Sequence, residues 1–348
     1  MNSVLDIYIT RIISLAVHIV NVSNTSKYMK EVKRHEEEKL IRVSNEIRVS
    51  LGSEVIIATD ALEDAKKVSA AIRDQLKVNH TKRSTSMAQH GLVKRKQENV
   101  EDHDEELTNG WLNQHNIPGH VEGYIFAVQE QEINTRALQK SREQKDNPQF
   151  NSKCRYCHQA KEDIFHILAS CDHLSLSLYL PVRHDEVGKV LFNELVKEDD
   201  ETTPYIVPKA GVAWNTTSLE IWWDTQVKTQ PKTTHNKPDL IVWRKKIKEC
   251  VVIDICVPLD QNVKTNEKVK EDRYIPLTVS LKRLYPEYSY SVIPVVLSAT
   301  GLVTKSLVKN LCNIGFAEKR ARTIIPKLQH KTLVGSMRIG KAAMSLKK

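Results

Sequence analysis

Apolar residues recur at helical spacing through the first half of the chain and gather into unbroken runs in the second. Leu5, Ile9, Ile12, Ile13, Ala16 and Val20 share one helical face within Val4–Val22. Residues 27–49 carry opposite charges three or four apart, such as Lys33 with Glu36 and Arg34 with Glu38, which suits a solvated helix. A third amphipathic helix is predicted over 61–77. Residues 79–105 are polar and weakly periodic, so a mobile connection is expected there. Helical spacing returns over 121–144, where Tyr124, Ile125, Val128 and Ile133 fit one face, and Asn-Pro and Asn-Ser end it within 146–153. Residues 176–198 read as a helix broken near Pro181. Beyond a boundary at 199–216 the pattern changes from Leu219 onward. LIVW (240–243) and CVVIDICV (250–257) are strand-like, a charged helix spans 264–284, and YSVIPVVL (290–297) is a further strand before two basic helices. The fold class expected is α+β: a mostly helical first half, then an α/β core closed by basic helices.

Composition narrows this picture. Of 348 residues, 40% are hydrophobic and 27% charged, enough to bury a core and, at this length, to form two or more domains. The net charge of +9 is unevenly placed: from Lys319 onward there are nine basic residues and no acid, while the preceding residues balance at 43 of each sign. That excess favours a polyanionic partner. Val4–Val22 contains Asp6, Arg11 and His18, which argues against a membrane span, and it lacks the marks of a secretory signal.

Three of the six cysteines fall within eighteen residues and share that window with histidines. Cys154-x2-Cys157-x8-His166-x4-Cys171 supplies three thiolates and one imidazole, enough to close a tetrahedral zinc site with no open position for a catalytic water. His158 and His173 are alternative ligands. Such a zinc is structural, and a reducing cytosol or nucleus follows. Zinc knuckles also bind single-stranded nucleic acid.

A second constellation joins Lys237-Pro238-Asp239 to Asp254, the one carboxylate inside the apolar run VVIDICV. Burying it is costly unless it binds something. A hairpin through RKKIKE (244–249) brings Asp239 and Asp254 to one edge, where paired carboxylates suit Mg²⁺. Lys270 is the candidate amine, with Lys268 and Lys264 behind it. A turn aspartate and a lysine-paired aspartate account for the same residues equally well.

The order MAQHGLVKR, WLN, AVQEQEINTR, CRYC…HILASC, RHDEV, KPDLIVW…IDICVPLDQNV…EKVKEDRY…VIPVVLSATG resembles the C-terminal portion of the pol protein of non-LTR retrotransposons that carry a restriction-like endonuclease. The likeness is best from Met87 to Phe316, and LDIYITRIISLAVHI resembles the stretch after that family's polymerase core. It implies a helical segment (1–86), a polar linker and helix (87–150), a CCHC knuckle and helix (151–198), a PD-(D/E)xK-like nuclease domain (199–316) and a basic tail (317–348). By position Asp239 and Asp254 match the metal-binding acids, Lys270 the displaced catalytic lysine, and Tyr274 the tyrosine that follows. Asp224, in IWWD, lies where an upstream helix acid of that fold would be. Arg183 and His184, with Lys319, Arg320, Arg322 and Lys327, are expected to contact nucleic acid. The chain departs from the pattern in three ways: Cys256 replaces the usual x-Lys after Asp254, Arg273 precedes Tyr274, and no Tyr/Phe-x-Asp-Asp polymerase motif is present. The resemblance therefore implies a metal-dependent DNA endonuclease without reverse transcription of its own. Its expected setting is the nucleus, with the cytoplasm as alternative, and its expected partners are a DNA target and element RNA, whether or not a polymerase acts in trans. The alternative is a catalytically inactive zinc-knuckle remnant that binds nucleic acid.

Overall fold

The fold is described by a computed structural model over residues 92–113, 117–230 and 233–345, with Asp74 and Val78 in addition. The helices expected over Val4–Val22, 27–49 and 61–77 lie outside the described residues. Gly91–Lys348 forms one compact unit, so the cysteine cluster, the sheet and the basic helices share a single body.

The apolar runs of the second half build an α+β core around a mixed five-stranded sheet. Its strands are β1 (Ala213–Asn215), β2 (Leu219–Trp223), β3 (Leu240–Arg244), β4 (Glu249–Cys256) and β5 (Ser289–Val296), in that spatial order. The first four are antiparallel neighbours, whereas β5 runs parallel to β4. Continuous Val, Ile and Leu suits strands covered on both faces, and both faces are covered. Leu240, Val242, Val251, Ile253 and Ile255 pack on one side with Val187, Leu191 and Phe192, and with Leu307, Leu311 and Ile324. Ile241, Trp243, Cys250 and Val252 pack on the other side with Tyr274, Leu277 and Leu281. The expected hairpin is present: Arg244 pairs with Glu249 in register, and their side chains meet at 2.6 Å.

Among the described residues the helices longer than one turn are α1 (Leu92–Glu98), α2 (Glu105–Asn109), α3 (Gly119–Gln129), α4 (Arg136–Arg142), α5 (Ile164–Ala169), α6 (Asp185–Asp199), α7 (Val263–Leu284), α8 (Lys305–Ile314) and α9 (Glu318–Ser345). Four differ from expectation. Part of the connection expected to be mobile is α1, because Val93 and Gln97 are buried. The single helix expected over 121–144 is two: Gln131 adopts a left-handed φ of 59°, and Thr135 caps the new start by accepting from Leu138 N at 3.3 Å. Pro181 does not break its helix. It sits in a π-helical segment, Ser175–His184, that runs on into α6; wider turns accommodate a residue with no N–H to give. The last of the two expected basic helices is present as α9, but it is a core helix rather than a tail, burying Ile324, Ile325, Leu328, Leu333 and Ile339.

Among the described residues no helix is long and apolar enough to cross a membrane.

Candidate functional site

The cysteine cluster forms from local turns. Cys154 N donates to Ala160 O at 2.8 Å, and a bridge between Lys153 and Lys161 closes the finger around CRYC. His158 takes a left-handed φ of 57° at its tip. Asp163 then caps α5 by accepting from His166 N at 2.8 Å, which starts the helix that carries His166. Cys171 follows the end of that helix. One ligand atom from each of Cys154, Cys157, His166 and Cys171 lies within 4.8 Å of the others. Two contacts are tighter: Cys154 Sγ to Cys171 Sγ at 3.8 Å, and Cys157 Sγ to His166 Nε2 at 3.4 Å. A tetrahedron with metal–sulfur bonds of about 2.3 Å has edges of about 3.8 Å, so this arrangement can hold a metal ion and is compatible with zinc. His158 and His173 are exposed and outside the cluster.

The finger is braced by a carboxylate that the spacing of cysteines does not reveal. Glu162 has no solvent exposure and takes two hydrogen bonds from the Arg155 guanidinium, at 2.7 and 2.9 Å, plus Arg155 N at 2.9 Å and Arg136 N at 3.1 Å. Burial opposes its ionisation, but these donors outweigh it and hold the carboxyl below its usual range.

The second constellation lies where β3 and β4 end together. One step beyond the Leu240↔Ile253 pair, Asp239 and Asp254 stand opposite each other, near enough for each to perturb the other's ionisation. Asp254 is 3% exposed, on the same side of β4 as Cys250 and Val252, where α7 packs. Lys270 of α7 places Nζ 2.6 Å from Asp254 Oδ2. Lys264 instead pairs with Glu267 and Asp102, and Lys268 is exposed. Asp239 Oδ2 accepts from Ile255 N at 2.6 Å and lies 3.2 Å from His184 Nε2. The other ring nitrogen, Nδ1, is 3.1 Å from Asp185 Oδ1.

Two carboxylates this close cannot ionise independently. Burial and the neighbouring Asp239 push Asp254 up to about 6, against the pull of Lys270. Asp239 goes the other way: burial opposes the charge, but the His184 hydrogen bond and charge outweigh it and hold the carboxyl below its usual value. His184 is pushed up to about 10 by Asp185 and Asp239 despite its burial. The pair is thus held by one imidazolium and one ammonium.

The other expected site residues divide. Tyr274 is 5% exposed, and its hydroxyl donates to Lys237 O at 3.0 Å, so it anchors the turn before Asp239. Asp224 is at the end of β2 rather than on a helix; its N–H donates to Asp239 O at 2.9 Å while its carboxylate pairs with Lys237 at 2.7 Å. Arg183, expected on nucleic acid, is 2% exposed. Its guanidinium donates to Ser336 Oγ at 3.0 Å and Val257 O at 3.2 Å and stacks on Tyr179, so it ties α9 to the end of β4 and cannot reach a phosphate. His184, given the same expectation, faces the aspartate pair. Arg320 and Lys327 both clamp the buried Glu194 at 2.6 Å, and Arg322 pairs with Glu318. Lys319 is exposed. The basic stretch is thus partly neutralised within the body, which its composition alone could not show.

No protein-family model matches this chain, and no curated protein matches it either.

Proposed function

We propose that the chain is a metal-dependent DNA endonuclease module of retroelement origin, part of a larger reverse transcriptase–endonuclease protein, that nicks a target strand in the nucleus. The observation that carries this reading is the convergence of Asp239, Asp254 and Lys270 where β3 begins and β4 ends, with a buried and a half-buried carboxylate opposite each other and an amine at 2.6 Å from Asp254. Hard oxygen donors of this kind suit Mg²⁺, with Asp239 and Asp254 as its holders and Asp224 as a nearby third acid. A Mg²⁺ held by these residues would supply a water of lowered pKa and a charge to offset that of the phosphodiester. The protein's own groups then have separate tasks. Lys270 supplies a positive charge beside the attacked phosphorus, and Tyr274 fixes the turn that carries Asp239.

The Cys154–Cys157–His166–Cys171 site takes structural zinc, since all four places are filled by protein ligands. Lys319, exposed at the start of α9, contacts the phosphates of DNA or element RNA. Plasmid nicking with Mg²⁺ tests this reading. The intact chain converts supercoiled plasmid to the open circle, and Asp239→Asn and Asp254→Asn each lose that activity while keeping zinc and the melting midpoint. Salt-sensitive binding with no metal-dependent nicking by the intact chain refutes the nuclease and leaves the inactive nucleic-acid-binding remnant.

A further inference from the structure

We infer that His184 is a positioning residue that dictates which oxygen of Asp239 meets the metal ion. This rests on the nuclease reading above. A carboxylate in an apolar sheet edge has several ways to face a cation, through either oxygen or both. In this protein Asp239 is restrained to one. Ile255 N, at 2.6 Å, and His184 Nε2, at 3.2 Å, both approach Oδ2 rather than Oδ1, and a carboxylate oxygen has two lone pairs to accept with. Oδ1 is left as the metal-facing oxygen, so Asp239 binds through one oxygen.

The ring is itself held from behind. Asp185 Oδ1 lies 3.1 Å from Nδ1, and the imidazole side chain is only 18% exposed. His184 is also the last residue of the π-helical segment, and the Arg183 beside it is pinned to Ser336 and Val257. The backbone that presents the imidazole is therefore fixed from both α9 and β4. Carboxylate–imidazole–carboxylate chains that hold a metal ligand in one orientation change metal affinity about 10- to 100-fold when broken. His184 occupies the middle of such a chain, Asp185–His184–Asp239.

The test separates orientation from packing by comparing two variants of the full chain. Gln at 184 keeps an N–H donor near the position of Nε2; Ala removes it. The readouts are the half-saturating Mg²⁺ concentration for plasmid nicking, the maximal rate at saturating Mg²⁺, and Mn²⁺ binding to the protein without DNA. His184→Ala is expected to raise the half-saturating Mg²⁺ and the Mn²⁺ dissociation constant about 10-fold or more, with a smaller change in maximal rate. His184→Gln stays near the wild type. Asp185→Asn, at a side chain that is 42% exposed, opens no cavity and shifts both quantities in the same direction by less, so it supplies the measurement if the Ala variant does not fold. Wild-type metal dependence in the Ala variant, or equal loss in Ala and Gln, overturns the inference. If the intact chain nicks and Asp239→Asn does not, that failure belongs to His184 alone. If the intact chain neither nicks nor binds Mn²⁺, the nuclease reading fails, and the role of His184 falls with it.

Discussion

Replacing Gly335 with alanine probes the packing that holds the candidate site together. Gly335 lies inside α9 directly over the π-helical segment. A Cβ there would sit 2.7 Å from Arg183 Cβ, 2.8 Å from its Cγ and 3.0 Å from its Cα. Ordinary carbon contacts are near 3.5–4.0 Å, so the two elements must separate by about 1 Å. Arg183 cannot swing clear, because its guanidinium is bound at both Ser336 and Val257 and its backbone is one of the clashing parts. Overpacking of this kind costs about 1–3 kcal/mol. Gly→Ala in a helix returns up to about 1 kcal/mol, which leaves a net loss of about 1–2 kcal/mol. For a body of this size that lowers the melting midpoint by about 2–8 °C. Gly123→Ala in α3 is the control, since nothing lies within 4 Å of its Cβ; propensity alone acts there, and the midpoint should rise slightly. Thermal melts followed by circular dichroism read both. A Gly335→Ala protein that melts at or above the wild type, with Gly123→Ala behaving as expected, refutes the close approach of α9 to Arg183.

Metal removal is the next check: the purified chain should carry one zinc by elemental analysis, and chelation should lower its melting midpoint by about 10 °C or more. Cys171→Ser should lose the metal outright. For Glu162 the sign follows from its lowered pKa: its pairing with Arg155 stabilises the fold above the ordinary carboxylate range, and the gain disappears as pH falls through the folded pKa. Glu162→Gln should therefore be about 3 kcal/mol less stable than the wild type at pH 7, and the gap should close in acid, as denaturant titrations at both ends of that window would show. Lys270→Met should reduce nicking about 10²–10³-fold with the zinc content unchanged. A smaller loss removes Lys270 from the chemistry.

What the sequence reveals about this protein depends on how far apart the partners are. The metal cluster is legible because Cys154, Cys157, His166 and Cys171 lie within one finger and one short helix, where spacing nearly determines geometry. The meeting of Asp239 and Asp254 is legible for a similar reason: a hairpin of known length fixes the register of its strands. Lys270 needed only the assumption that the helix after β4 packs back on it. The hidden parts involve distant partners. Glu194 meets Arg320 and Lys327 across more than a hundred residues, so charges that look like a tail for DNA are partly spent inside the body. Arg183 and His184 are adjacent and basic, and composition treats them alike; the fold sends one into the core and the other to an aspartate. The strand β1 escapes notice because its three residues carry little apolar signal, and β2 because the likeness to the nuclease family put the IWWD run on a helix.

The π-helical segment also acts as a gauge of chain length. An α-helix advances about 100° per residue, and a π turn holds one residue more than an α turn. Deleting one residue between Ser175 and Pro181 would let the segment relax to α-helix and rotate the following side chains by about a quarter turn. His184 would then leave Asp239, and Arg183 would leave Ser336, though every residue at both sites was still present. The distance between the metal cluster and the aspartate pair is thus set by a count. Substitutions in this segment are expected to be tolerated far better than insertions or deletions.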